Sequence, residues 1–64
     1  MNEYEKDIIS KYGYAISRKD AAGLLGISIP TLDRFTRDNV IKSKKVGHSV
    51  KITPKTIVEY LGLS

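Results

Sequence analysis

Sixty-four residues fold as one small domain at most, with little core to spare for a deep cleft or a second layer of function. Hydrophobic residues at 41% and charged residues at 28% are ordinary for a globular chain and exclude wholesale disorder. The longest apolar stretch, Ala21 to Leu25, falls far short of the roughly 20 residues of a membrane helix, and the absence of cysteine excludes disulfides, thiolate metal sites and cysteine nucleophiles.

The chain opens without a charged-then-apolar leader, so a cytoplasmic protein with no signal peptide and no membrane contact is expected. Lys and Arg number 11 against 7 Asp and Glu, giving +4, a balance that favours a polyanionic partner. The positive charge is concentrated. Residues 17–53 hold Arg18, Lys19, Arg34, Arg37, Lys42, Lys44, Lys45 and Lys51 against Asp20, Asp33 and Asp38. Residues 1–16 are slightly acidic and residues 54–64 are neutral.

Tyr4, Ile8, Ile9 and Tyr12 recur as one face of a short helix over about 2–12, broken by Gly13. Ser17-Arg-Lys-Asp follows as a capping box, with Ser17 as N-cap and Asp20 at the third helical position. Ala21, Ala22, Leu24 and Leu25 line one side of a two-turn helix that Gly26 ends in the left-handed conformation. Ile27 turns back to the core. Ser28 caps a second helix with Pro30 in its first turn, where a missing N–H costs nothing, and Leu32 and Phe35 give it a buried stripe to about Asn39. Two helices joined by a three-residue, glycine-containing turn are a helix-turn-helix. Ile41 to Ile52 reads as a short β-hairpin turning at Gly47-His48, because Val50 and Ile52 alternate with Lys51. Thr53-Pro54 opens a last helix with Ile57, Val58 and Leu61 as its buried face and Gly62 at its end.

The run Ser17 to Phe35, then Val46-Gly47-His48, Ile52-Thr-Pro and Ile57-Val-Glu-Tyr-Leu, resembles the excisionase-type, MerR-like winged helix-turn-helix domains over about residues 15–62. The resemblance implies a mainly α fold with a two-stranded β-hairpin wing and a C-terminal helix, to which residues 1–14 add an N-terminal helix. The whole chain, 1–64, would form one such domain.

It further implies a DNA-binding accessory protein of a bacterial mobile element or phage, an excisionase, directionality factor or regulator. The second helix would lie in the major groove of double-stranded DNA, its exposed face carrying Ile29, Pro30, Thr31, Asp33, Arg34 and Arg37. Ser28 and Thr31 sit at the helix start, where hydroxyls and free N–H groups suit a phosphate. Arg34 is the candidate for a base edge, since a guanidinium can bridge guanine O6 and N7. Arg37 stands four residues after Asp33 and could spend its charge there instead. Arg18 and Lys19 are candidate phosphate contacts, and Lys44, Lys45, His48 and Lys51 make a basic hairpin for the backbone or minor groove.

The sequence departs from the family where Ile29-Pro30 and His48-Ser49 stand in place of arginines, and where Asp33 puts a carboxylate on the DNA-facing side. These departures, and the added helix with Tyr4, Ile8 and Tyr12 as partner-binding candidates, support an alternative. The chain would then be a non-catalytic subunit of a mobile-element replication or priming enzyme, with a recombinase, polymerase or primase as partner; self-association stays open. Catalysis is not expected. His48 is the one histidine, no ligand cluster is present for a metal, no cofactor motif appears, and nothing near the tyrosines would activate a phenol.

Overall fold

In a computed structural model, which describes residues 2–62, the helical signals become α1 (Glu3–Tyr12), α2 (Arg18–Leu25), α3 (Ile29–Arg37) and α4 (Pro54–Tyr60). Every one of these helices begins at the polar residue that the physics of orphan N–H groups demands. The side chains of Asn2, Ser17, Ser28 and Thr53 accept from the N–H groups of Glu5, Asp20, Thr31 and Thr56 respectively. The expected single domain of 1–64 reaches beyond this span, since Met1, Leu63 and Ser64 lie outside the described residues.

The two ends of α2 and α3 are closed by the same backbone device. Gly26 takes a left-handed conformation at φ 71°, and the N–H of Ile27 donates to the Ala22 carbonyl at 3.0 Å. That pair of features turns the chain sharply into α3 and returns Ile27 to the core, where it is half-buried. At the end of α3, Asn39 adopts φ 61°, and Val40 donates to the Phe35 carbonyl at 2.8 Å. Asparagine tolerates this conformation better than other side-chain-bearing residues. The helix therefore stops at Arg37, two residues before the boundary expected from sequence.

A strand absent from the sequence reading appears between α1 and α2. It is β1 (Ile16–Ser17), and with β2 (Lys44–Val46) and β3 (Ser49–Ile52) it forms a three-stranded antiparallel sheet in the order β1-β3-β2. The expected two-stranded hairpin is thus part of a larger sheet and is shorter than Ile41–Ile52. Ile41 precedes β2 and is buried in the core at 1% exposure. Ile16 pairs with Ile52 and Ser17 with Lys51, while Lys44, Lys45 and Val46 pair with Lys51, Val50 and Ser49. Gly47, φ 63°, occupies the first loop position between β2 and β3, where a type II′ hairpin turn requires glycine.

The core gathers Ile8, Ile16, Ala21, Ala22, Leu25, Leu32, Ile41, Ile52, Ile57 and Val58. Helix α2 is its hub and packs on α3, α4, β1 and β3, whereas α1 packs on α4. The radius of gyration, 10.8 Å, is that of a compact domain of this length. One expected core position differs: Leu61 is at 36% exposure because α4 ends at Tyr60. Val40, at 58%, follows the Asn39 turn outward, and Tyr12 is at 39% at the end of α1. The molecule is thus mainly helical with a small antiparallel sheet, and α2, its tight turn and α3 have helix-turn-helix form. Among the described residues no helix is long and apolar enough to cross a membrane.

Candidate nucleic-acid interface

The start of α2, the start of α3 and the β2–β3 turn converge on one cleft of about 370 Å³. Arg18 and Lys19 reach it from the first turn of α2, Ile29 from the first residue of α3, and His48 and Lys51 from the hairpin. Ser17, Ser49 and Val50 complete the wall, and no carboxylate lines it. Five candidates separated by as many as 33 positions are therefore neighbours. They are brought together because Ser17 has two roles, pairing with Lys51 across the sheet and capping α2.

The sheet adds a second concentration of charge. Lys44 sits directly opposite Lys51 in the antiparallel register, with Ser17 on the other side of Lys51. Ile52 faces the core, so the alternation of a strand turns Lys51, and its cross-strand neighbour Lys44, to the other face. Like charges directly opposite one another oppose sheet formation by roughly 0.2–1 kcal/mol. Lys45 pairs instead with Val50; neither Lys44 nor Lys45 lines the cleft.

Helix α3 carries its candidates on two sides. Pro30, Arg34 and Arg37, at spacings of four and three, share its exposed outer face. The Arg34 guanidinium lies 5.8 Å from the Phe35 ring centroid, and Phe35 in turn meets Tyr60 of α4 at 6.2 Å. A cation over an aromatic face at an exposed site gains about 0.5–1 kcal/mol, enough to bias the Arg34 side chain toward that end of the molecule. Arg34 does not line the cleft.

Asp33 does not pair with Arg37, its neighbour one turn on. It accepts from Arg18 Nη1 at 2.8 Å through both carboxylate oxygens, a contact between helices across 15 residues. The side chains are 49% and 41% exposed, so the pair contributes about 0–1 kcal/mol to stability. Its larger consequence is electrostatic. The charge of Asp33 is directed at a cation of the cleft, and Arg37 remains free of it.

The first turn of α3 offers an anion fewer donors than its sequence implies. Ser28 Oγ accepts the Thr31 N–H at 3.2 Å and donates to Thr31 Oγ1 at 2.8 Å, and Pro30 has no N–H. Ile29 keeps its N–H and is 38% exposed, an apolar edge at the cleft. Of the partner-binding candidates on α1, Ile8 is 2% exposed and belongs to the core, where α1 meets α4. It is unavailable to a partner. Tyr4 is half-buried against that core, and Tyr4, Asp7, Lys11 and Tyr12 border a shallow recess with Leu24.

The cleft serine Ser17 escaped sequence reasoning as a site residue. The signal for it was present in its capping pattern, but its place beside Lys51 depends on β1, and two residues show no alternation. Among the described residues no group of three His, Asp or Glu side chains could hold a metal ion. No family model, curated protein or solved structure matches the chain.

Proposed function

We propose that this chain is a small, non-catalytic, winged helix-turn-helix protein that binds duplex DNA. In this reading α3 enters the major groove with Arg34 and Arg37 outward, and the β2–β3 hairpin is the wing. Arg18, Lys19, His48 and Lys51 take the phosphate backbone beside the groove. The observation that carries it is the cleft without a carboxylate, built from the starts of α2 and α3 and the hairpin turn. The Lys44–Lys51 pair supports it as well. Two lysines face to face oppose sheet formation, and a polyanion relieves that repulsion when it binds. With the resemblance of residues 15–62 to excisionase-type domains, the reading becomes an accessory role in recombination or regulation of a mobile element.

The test is duplex binding measured across salt. Affinity should fall steeply, with a log–log slope of about −0.9 for each phosphate neutralised. Arg34→Ala should lose discrimination between selected and random sites worth roughly 1–3 kcal/mol, while Lys45→Ala weakens all duplexes alike. Absence of any shift at low salt would overturn the reading.

A second reading, a subunit of a replication or priming enzyme, is favoured by apolar exposure. Ile29, at 38%, stands beside the cations of the cleft, and Val46 at 59% and Tyr14 at 69% are exposed elsewhere on the surface. Pull-down with the tagged chain, followed by identification of both protein and DNA, separates the two. A polymerase or primase recovered without DNA would favour the second.

A further inference from the structure

We propose that Asp33 restrains sequence-independent DNA binding by occupying Arg18, an inference that rests on the duplex-binding reading above. Arg18 lines the cleft, and the Asp33 carboxylate holds its Nη1 through both oxygens at 2.8 Å. Two anionic oxygens on a guanidinium nitrogen are the contact a backbone phosphate would make there. Asp33 lies outside the cleft wall, but a phosphate taking Arg18 must displace the carboxylate or share the guanidinium with it, against the repulsion of the Asp33 charge.

Three features make this a restraint on binding rather than a structural pin. The pair is half-exposed on both sides, so water already screens it and exchange for a phosphate is cheap. It joins α2 to α3, which are already held together by buried Ala21, Ala22, Leu25 and Leu32, so the fold does not need it. Arg37, one turn from Asp33 on the same helix, is left out of the pair, whereas the arginine of the cleft is taken. Lys19, His48 and Lys51, the other cations of the cleft, are in no ion pair among the described residues. Asp33 therefore subtracts from the backbone-binding charge at one point. Contacts of α3 to base edges are not reduced, so base readout makes up a larger share of the binding energy that remains.

The experiment uses the full chain and a random-sequence duplex, titrated from low to physiological salt. Asp33→Asn is expected to bind roughly three- to tenfold tighter at low salt, with a slope steeper by about 0.9, one more phosphate contact. In an Arg18→Ala background the same substitution should give little gain. A gain that survives Arg18→Ala would mean that Asp33 acts as a distant charge and overturns the proposal. Unchanged or weaker binding by Asp33→Asn, with a normal circular dichroism spectrum, also overturns it. Asp33→Ser repeats the measurement should the amide disturb α3. If wild type and variants all leave the duplex unshifted, the duplex-binding reading falls too, and the silent wild type tells that failure from the others.

Discussion

The α2–turn–α3 unit and the β2–β3 hairpin sit side by side at the cleft but are held by different forces. Both helices of the first are capped by a neighbouring serine, and Ala21, Ala22, Leu25 and Leu32 are buried. In the second, every residue of β2 is exposed, Ile52 is the one buried residue of β3, and two lysines face one another. The helices owe their position to apolar burial, which is unforgiving of substitution. The hairpin owes its shape to backbone pairing and a glycine turn, which accept almost any side chain on the outer face. Stability thus rests mainly on the helical unit, while the hairpin holds its lysines away from the core. On the proposed reading, His48 and Lys51 of the hairpin join Arg18 and Lys19 of α2 at the border as a site for a polyanion.

The sharpest way to break this division is Leu32→Ala. Leu32 is fully buried on α3, and truncating such a leucine removes transfer energy and leaves a cavity, together costing about 2–5 kcal/mol. A domain with about 0.05–0.15 kcal/mol of stability per residue can be unfolded by that loss. Urea unfolding followed by circular dichroism should show a midpoint shifted far down or no folded baseline. A cost below 1 kcal/mol would mean the helical unit is not where stability resides. Ser28→Ala should be milder. It removes the acceptor of the Thr31 N–H and should cost about 1 kcal/mol in the same assay, whereas Ser28→Gly should cost only a few tenths.

The same division explains what could be read from the sequence. Caps and glycine stops are local events, so Ser17, Gly26, Ser28 and Thr53 announced their helices correctly from residues within one turn. The end of α3 was harder because Asn39 can continue a helix or close it, and the tertiary position of Val40 decides. Ile16 and Ile41 belong to the core through pairing and packing with distant segments, so no periodicity marks them. Of the candidate site, the basic composition of the hairpin and of the α2 start was legible. Their convergence on one cleft was not, since it follows from β1 pairing with β3. The Arg18–Asp33 contact spans 15 residues and two helices, while the local spacing pointed to Arg37. Short-range rules favour the neighbour on the same helix; packing of α2 on α3 decided otherwise.

The smallest expected change in stability tests the hairpin, and its sign is opposite. Lys44→Gln keeps most of the length of the side chain and removes one of the two charges that face each other across β2 and β3. Relief of that repulsion should stabilise the protein by roughly 0.2–0.5 kcal/mol, an increase seen best at low ionic strength and reduced by salt. The same substitution removes a cation from the outer face of the sheet. Duplex affinity should therefore fall, and its salt slope should flatten by about 0.9 if Lys44 neutralises a phosphate. A gain in stability with a loss of binding is the signature of charge kept for a partner rather than for the fold. If Lys44→Gln lowered stability and left binding unchanged, the lysine would belong to the structure of the hairpin. The division of labour between the two regions would then fail at its most exposed point.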